Sequence, residues 1–123
     1  MSNLPTPMRD AAAFSTAHQE DVSAPHVLVA DGNATTRHAR ETQLRDAGFR
    51  VSLARTGFEA IVKASCHVPD LILLDSSLGD LEAAETTRLL GTCPVTAHIP
   101  IIQLTRGRRV PRRVLNDLRR ESA

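Results

Sequence analysis

Three polar residues stand where apolar runs stop. Asp31 follows His26-Val27-Leu28-Val29-Ala30, Asp75 follows Leu71-Ile72-Leu73-Leu74, and Thr105 follows Ile101-Ile102-Gln103-Leu104. A carboxylate buried without a partner is costly. Each acid therefore either reaches solvent at a strand end or belongs to a site that uses its charge. Two carboxylates in one place repel each other, and a hard divalent cation such as Mg²⁺, which accepts a site of few carboxylates plus water, relieves this. In such a site Asp75 can attack a phosphoryl group as a nucleophile, and the Thr105 hydroxyl can donate to a phosphoryl oxygen. Acids are also common as loop starters at strand ends, and spacing alone leaves both readings open.

The elements that would bring these residues together can be read from periodicity. Residues 26–30, 50–54, 71–74 and 101–104 are short apolar or alternating runs of strand length. Between them, Asn33 is a good cap for a helix from Ala34 to Ala47 closed by Gly48. Thr56 caps a second helix from Gly57 to about His67, with Phe58, Ile61 and Val62 as its expected buried face. Asp80 is read as the cap of a third helix through about Leu90, ended by Gly91. Pro111 suits the first position of a last helix, whose narrow apolar stripe is Val110, Val114, Leu115 and Leu118. Strands alternating with helices over short connections predict a parallel sheet covered on both faces. In a parallel sheet the three polar run-ends share one edge, where ligands of such sheets bind.

Composition narrows the class. The 123 residues are 41% hydrophobic and 24% charged, with three Phe, no Trp and no Tyr, so a single domain with an aliphatic core is expected. No apolar run approaches the roughly 20 residues of a membrane helix. The N-terminus lacks the basic and apolar regions of a secretory signal. Cys66 and Cys93 show no metal spacing and read as reduced thiols in a cytoplasmic protein. His18, His26, His38, His67 and His98 are scattered and are assigned no role.

The net charge of +1 conceals an asymmetry: residues 1–25 carry −2, residues 26–105 carry −2, and residues 106–123 carry +5. The division follows that pattern, with a flexible arm over 1–25, an α/β domain over 26–105 and a basic C-terminal helix or tail over 106–123. Seven arginines in that tail raise the question of nucleic acid. Interspersed acids and the lack of stacking aromatics favour a solvated helix face instead.

HVLVADGN, ARTGFEAI, PDLILLDSSLGD and TAHIPIIQLT, in this order and spacing, resemble the receiver domain of two-component response regulators over roughly residues 26 to 105. The resemblance implies a flavodoxin-like three-layer α/β/α fold with a parallel sheet. It implies Asp75 as phosphoacceptor, with Asp31, Asp75 and the backbone carbonyl of Ser77 as Mg²⁺ ligands and Thr105 as the hydroxyl that follows the phosphoryl group. It implies a histidine kinase or histidine phosphotransfer protein as partner, and signalling by conformational change rather than enzymatic turnover.

The chain also departs from the family pattern. Gly32 stands where a second acid is usual, so Mg²⁺ binding is expected to be weak. Gly79 stands where proline is usual, and Arg106 replaces a small residue after Thr105. No lysine-bearing fifth strand is found after residue 105, which leaves strand order 2-1-3-4 and makes Arg106 a candidate substitute cation. Two functions follow: a phosphate-accepting receiver, or a degenerate receiver that works as a phosphorylation-independent interaction or dimerisation module. The open fourth strand and the last helix are the expected surface for a homodimer.

Overall fold

The protein is described by a computed structural model covering residues 23–122. The arm read over 1–25, with a short helical turn near Ala11 to Ala13, lies outside the described residues except for its last three.

Strands β1 (His26–Ala30), β2 (Arg50–Ala54), β3 (Leu71–Asp75) and β4 (Ile101–Leu104) form one parallel sheet in the order β2-β1-β3-β4. Helices α1 (Ala34–Asp46), α2 (Gly57–His67), α3 (Ala83–Thr92) and α4 (Arg112–Ser122) complete the described chain. The central strands β1 and β3 are apolar and buried on both faces, as parallel strands between helical layers must be. Val27, Val29, Leu71 and Leu73 face α1 and α4, whereas Leu28, Ala30, Ile72 and Leu74 face α2 and α3. The strand order reverses between β1 and β3, and the carboxyl ends of these two strands carry Asp31 and Asp75.

Helix starts follow local chemistry. The Asn33 side chain accepts from the Thr36 amide, and Thr56 accepts from the Glu59 amide. Gly48, at φ +97°, makes the turn out of α1 that a side chain would strain. The last helix covers one sheet face with Val114 and Leu118, joined by Val110 just before it, all buried, while Leu115 is half-buried. Arg119 fastens its far end by donating to the Ala47 carbonyl at 2.9 Å and stacking over the Phe49 ring at 5.8 Å.

Two sequence expectations are corrected. Phe58 and Val62 are exposed and Ile61 is half-buried; Gly57, Ala60 and Ala64 face inward instead. A Cβ on Gly57 would stand 2.5 Å from Thr86 Oγ1 and 3.0 Å from Leu81 Cβ, so α2 packs too closely for its large residues to point inward. Asp80 does not cap α3, which starts at Ala83 after Glu82 and runs through Gly91 to Thr92. Its carboxylate accepts from the amides of Gly57 and Phe58 at 2.8 and 3.0 Å, and so caps α2 from across the sheet edge. Burial pushes the Asp80 carboxyl up, but these amide bonds outweigh it and hold the group below its ordinary range.

Candidate functional site

Asp31 and Asp75 meet, as the parallel arrangement requires, and both side chains are fully buried. They are bridged by Arg40, which sequence reasoning did not single out. Its Nη1 donates to Asp75 Oδ2 at 2.5 Å and to Asp31 Oδ2 at 3.1 Å. Its Nε reaches the Arg108 carbonyl at 2.9 Å, and Nη2 reaches the carbonyls of Thr105 and Arg108 at 3.1 and 2.7 Å. A guanidinium has five N–H groups, and these contacts supply an acceptor for each. Arg40 is 2% exposed, so the ion pair is dry and its geometry is that of a structural element.

The carboxylate oxygens are occupied from the protein side as well. Asp31 Oδ1 accepts from the Asn33 amide at 2.9 Å, and Oδ2 from the Thr36 hydroxyl at 2.6 Å. Asp75 Oδ1 accepts from the Ser77 amide at 2.8 Å and from its hydroxyl at 2.5 Å. Gly107, at φ +75°, directs its amide toward Asp75 Oδ2 at 3.4 Å. Burial pushes the Asp75 carboxyl up. The Ser77 hydroxyl and amide, then Arg40, outweigh it and hold the group below its ordinary range.

The remaining sequence candidates are placed as follows. The carbonyl of Ser77 lies in the same crevice as Gly32, 3.1 Å from where a Cβ on Gly32 would stand. Thr105 is exposed just past β4, and its carbonyl rather than its hydroxyl is engaged, by Arg40. Arg106 is exposed and pairs with neither acid. The cation at the acids comes from α1, not from the loop after β4. That loop is held to α1 by Arg40 and by Gln43, whose side-chain amide exchanges two hydrogen bonds with the Val110 backbone at 2.9 and 3.0 Å.

Whether a divalent cation suits this crevice depends on the donors. Two carboxylates and one carbonyl are near, and Gly32 adds no third acid. No cluster of three or more His, Cys, Asp or Glu suited to a metal exists among the described residues. Both Oδ2 atoms already accept from one guanidinium, which carries its own positive charge. As arranged, the residues do not fit Mg²⁺.

An open parallel sheet with paired acids and a serine-lined turn at its switch point defines a receiver-type α/β domain. Residues 27–116 match the response regulator receiver domain, and the chain belongs to that family. It is 30% identical over 79 residues to the polar-differentiation response regulator DivK of Brucella ovis, covering 64% of each chain. The protein thus spans about 64% of the length of the curated relatives it matches. Among solved structures it resembles the receiver domain of sensor histidine kinase PA1611 from Pseudomonas aeruginosa, which has a magnesium ion coordinated in its active-site cleft. That match has a TM-score of 0.64 at 30% identity over 67% of both chains. A receiver protein from Methanoculleus marisnigri gives a TM-score of 0.64 at 28% identity, covering 76% of this chain and 75% of that one. No helix among the described residues is long and apolar enough to cross a membrane.

Proposed function

We propose that this receiver domain works as a protein-interaction module whose acidic site is closed by its own cation, so that binding does not depend on phosphorylation of Asp75. The observation that carries the reading is Arg40, buried and bonded to both Asp31 and Asp75. A phosphoryl donor needs a free Asp75 oxygen in line with the group it transfers. Here Oδ1 is held by Ser77 and Oδ2 by Arg40. Freeing Oδ2 would leave buried charges unpaired, a penalty of several kcal/mol.

A second reading keeps Asp75 as phosphoacceptor, fed by a histidine kinase or histidine phosphotransfer protein. One observation favours it: Asp75 ends β3 and is held ionised, the state a nucleophile needs. The P–N bond of a phosphohistidine would break as an Asp75 oxygen bonds to phosphorus, after Arg40 had turned its charge from the carboxylate to the incoming oxygens. Guanidinium geometry suits phosphate.

Incubation of the chain with acetyl phosphate and Mg²⁺, followed by intact mass, separates the two. The module reading expects no added phosphoryl mass in the wild-type chain. An added phosphoryl group that disappears in Asp75→Asn overturns it in favour of the second.

A further inference from the structure

The two edges of the sheet are finished differently. In β2, the Arg50 amide donates to the Pro25 carbonyl and the Ala54 carbonyl accepts from the Asp31 amide. Alternation therefore points the backbone groups of Val51 and Leu53 away from the sheet. Both outward carbonyls are capped by long basic side chains: Arg45 Nη2 donates to Val51 at 3.1 Å and Lys63 Nζ to Leu53 at 2.6 Å. In β4, the carbonyls of Pro100 and Leu104 accept from the amides of Ile72 and Ser76. This turns the amides and carbonyls of Ile101 and Gln103 outward, and no described residue bonds to them. Natural edges are usually blunted by charge, proline or a bulge. The outward positions of β4 instead carry an isoleucine and a neutral glutamine.

The side chains agree with the backbone. Ile101 packs against the core under α2 and α3, and Ile102 against the core under α1 and α4, yet each stays only partly buried. Both cores therefore end at β4 with apolar surface still in contact with water.

We propose that β4 pairs antiparallel with β4 of a second copy of this chain, joining two four-stranded sheets into one. This gives the interaction module its partner and rests on the module reading. The occupant is a second copy because the edge is complementary to itself. A two-fold axis at Ile102 sets Ile101 opposite Gln103 of the partner subunit and Gln103 opposite Ile101 of the partner subunit. Each such pair exchanges two N–H···O bonds, so both outward residues are satisfied on both copies. The two Ile102 side chains then meet across the axis and continue the core under α4. Head-to-tail growth through β2 is blocked by Arg45 and Lys63, so the assembly closes as a dimer rather than extending as a fibre.

Sedimentation velocity of the full chain over a range of micromolar concentrations tests this. Wild type is expected to shift from monomer to dimer. Gln103→Pro removes an amide that the β3–β4 ladder does not use, and by symmetry removes two of the interface bonds. It should weaken the dimer at least about tenfold, with far-UV circular dichroism reporting the monomer's fold. Gln103→Lys, at an exposed site, charges the edge and should do the same if the proline variant fails to fold. Hydrogen exchange of the Ile101 and Gln103 amides should slow as concentration rises. A chain that is monomeric throughout, or a dimer indifferent to a folded Gln103 variant, overturns the pairing. Either result leaves the module reading to the phosphoryl-mass experiment, so the two failures are distinguishable.

Discussion

At the tips of β1 and β3, a buried guanidinium bonds to two fully buried carboxylates and to the carbonyls of Thr105 and Arg108, so that each of its N–H groups has an acceptor. Along the outer edge of β4, two residues present backbone groups with no partner among the described residues. The strand tips of a receiver are where an incoming ion or phosphoryl group would find its ligands, and here they are complete without one. The unsatisfied valence lies instead on the sheet edge. Buried polar groups are stable only when paired, whereas the edge groups of Ile101 and Gln103 reach water, and the proposed pairing places the partner there rather than at the tips. Anything that reopens the tips or closes the edge tests that contrast.

The largest effect is expected from Arg40→Leu. It strands Asp31 and Asp75 in a dry crevice and releases the carbonyls of Thr105 and Arg108. Breaking a buried pair by removing one partner costs about 3–5 kcal/mol, and denaturant unfolding should show a loss of that order. Adding Asp75→Asn to Arg40→Leu should recover part of it, because the remaining buried charge is then single. A loss under about 1 kcal/mol would mean that water already screens these acids and that the tips are open.

A smaller effect is expected at the edge. If β4 pairs across a two-fold axis, the melting temperature of wild type should rise with protein concentration, since association stabilises by mass action. Gln103→Pro should remove that dependence. Concentration-independent melting of the wild-type chain would show that the edge is finished within one molecule.

Much of this architecture was legible in the sequence. Strand ends at Ala30, Ala54 and Leu104 and the caps Asn33 and Thr56 follow from run lengths and capping chemistry, which act locally, whereas the order 2-1-3-4 was legible only through the resemblance to receiver domains. What escaped was non-local. Asp80 looks like the cap of the helix that follows it, yet its carboxylate serves α2 instead. Phe58 and Val62 look like a buried face, but the approach of α2 to Thr86 and Leu81 admits only small residues. For the site itself, the residue that local patterns do not reveal is Arg40. A signal was present: Thr36, Arg40 and Leu44 recur at i, i+4 and i+8, and Leu44 is the large aliphatic residue that anchors the inward face of α1. An arginine on that stripe, in a domain with two acids expected at one edge, has its counter-charges waiting. Arg106, the candidate substitute for the missing lysine, adjoins Thr105 in sequence, but adjacency along the chain is a poor guide to what lies at a crevice.

Asp75 should also govern pH dependence. Asp75 is held below its ordinary range in the folded chain, first against burial by Ser77 and then by Arg40. A group depressed in this way contributes stability that is present above the unfolded value, near 4, and lost as pH falls through the folded value. Wild-type stability should therefore fall as pH drops below about 4, and Asp75→Asn should flatten that fall while lowering stability at neutral pH. An unchanged acid limb in Asp75→Asn would assign the acid sensitivity to other carboxylates.

Gly32→Asp sharpens the comparison at the tips. It supplies the missing acid, but its Cβ must stand 3.1 Å from the Ser77 carbonyl, so that turn has to give by a few tenths of an ångström. With Arg40 still bridging the pair, Mg²⁺ at millimolar concentration should leave the melting temperature of this variant nearly unchanged. In Gly32→Asp with Arg40→Leu, three carboxylates face an empty position, and Mg²⁺ should raise the melting temperature measurably. Equal responses with and without Arg40 would show that the guanidinium is not what keeps the ion out.

The smallest expected effect is that of salt on the dimer. Residues 106–123 carry +5 on each copy. Within them α4 lies beside β4, because Val114, Asp117 and Leu118 line a groove with Ile102 and Pro100. A two-fold axis at Ile102 therefore brings two basic helices near one another. Their arginines are largely exposed, so the repulsion acts through water and is screened over about 10 Å at 0.1 M salt. Raising salt from low to moderate concentration should tighten the dimer by a few-fold at most, since exposed charges contribute roughly 0–1 kcal/mol per pair. Sedimentation at fixed protein concentration and rising salt reads this directly. A dimer that loosens with salt would mean that these arginines meet acids across the interface, and that the copies associate through a different face from the β4 edge.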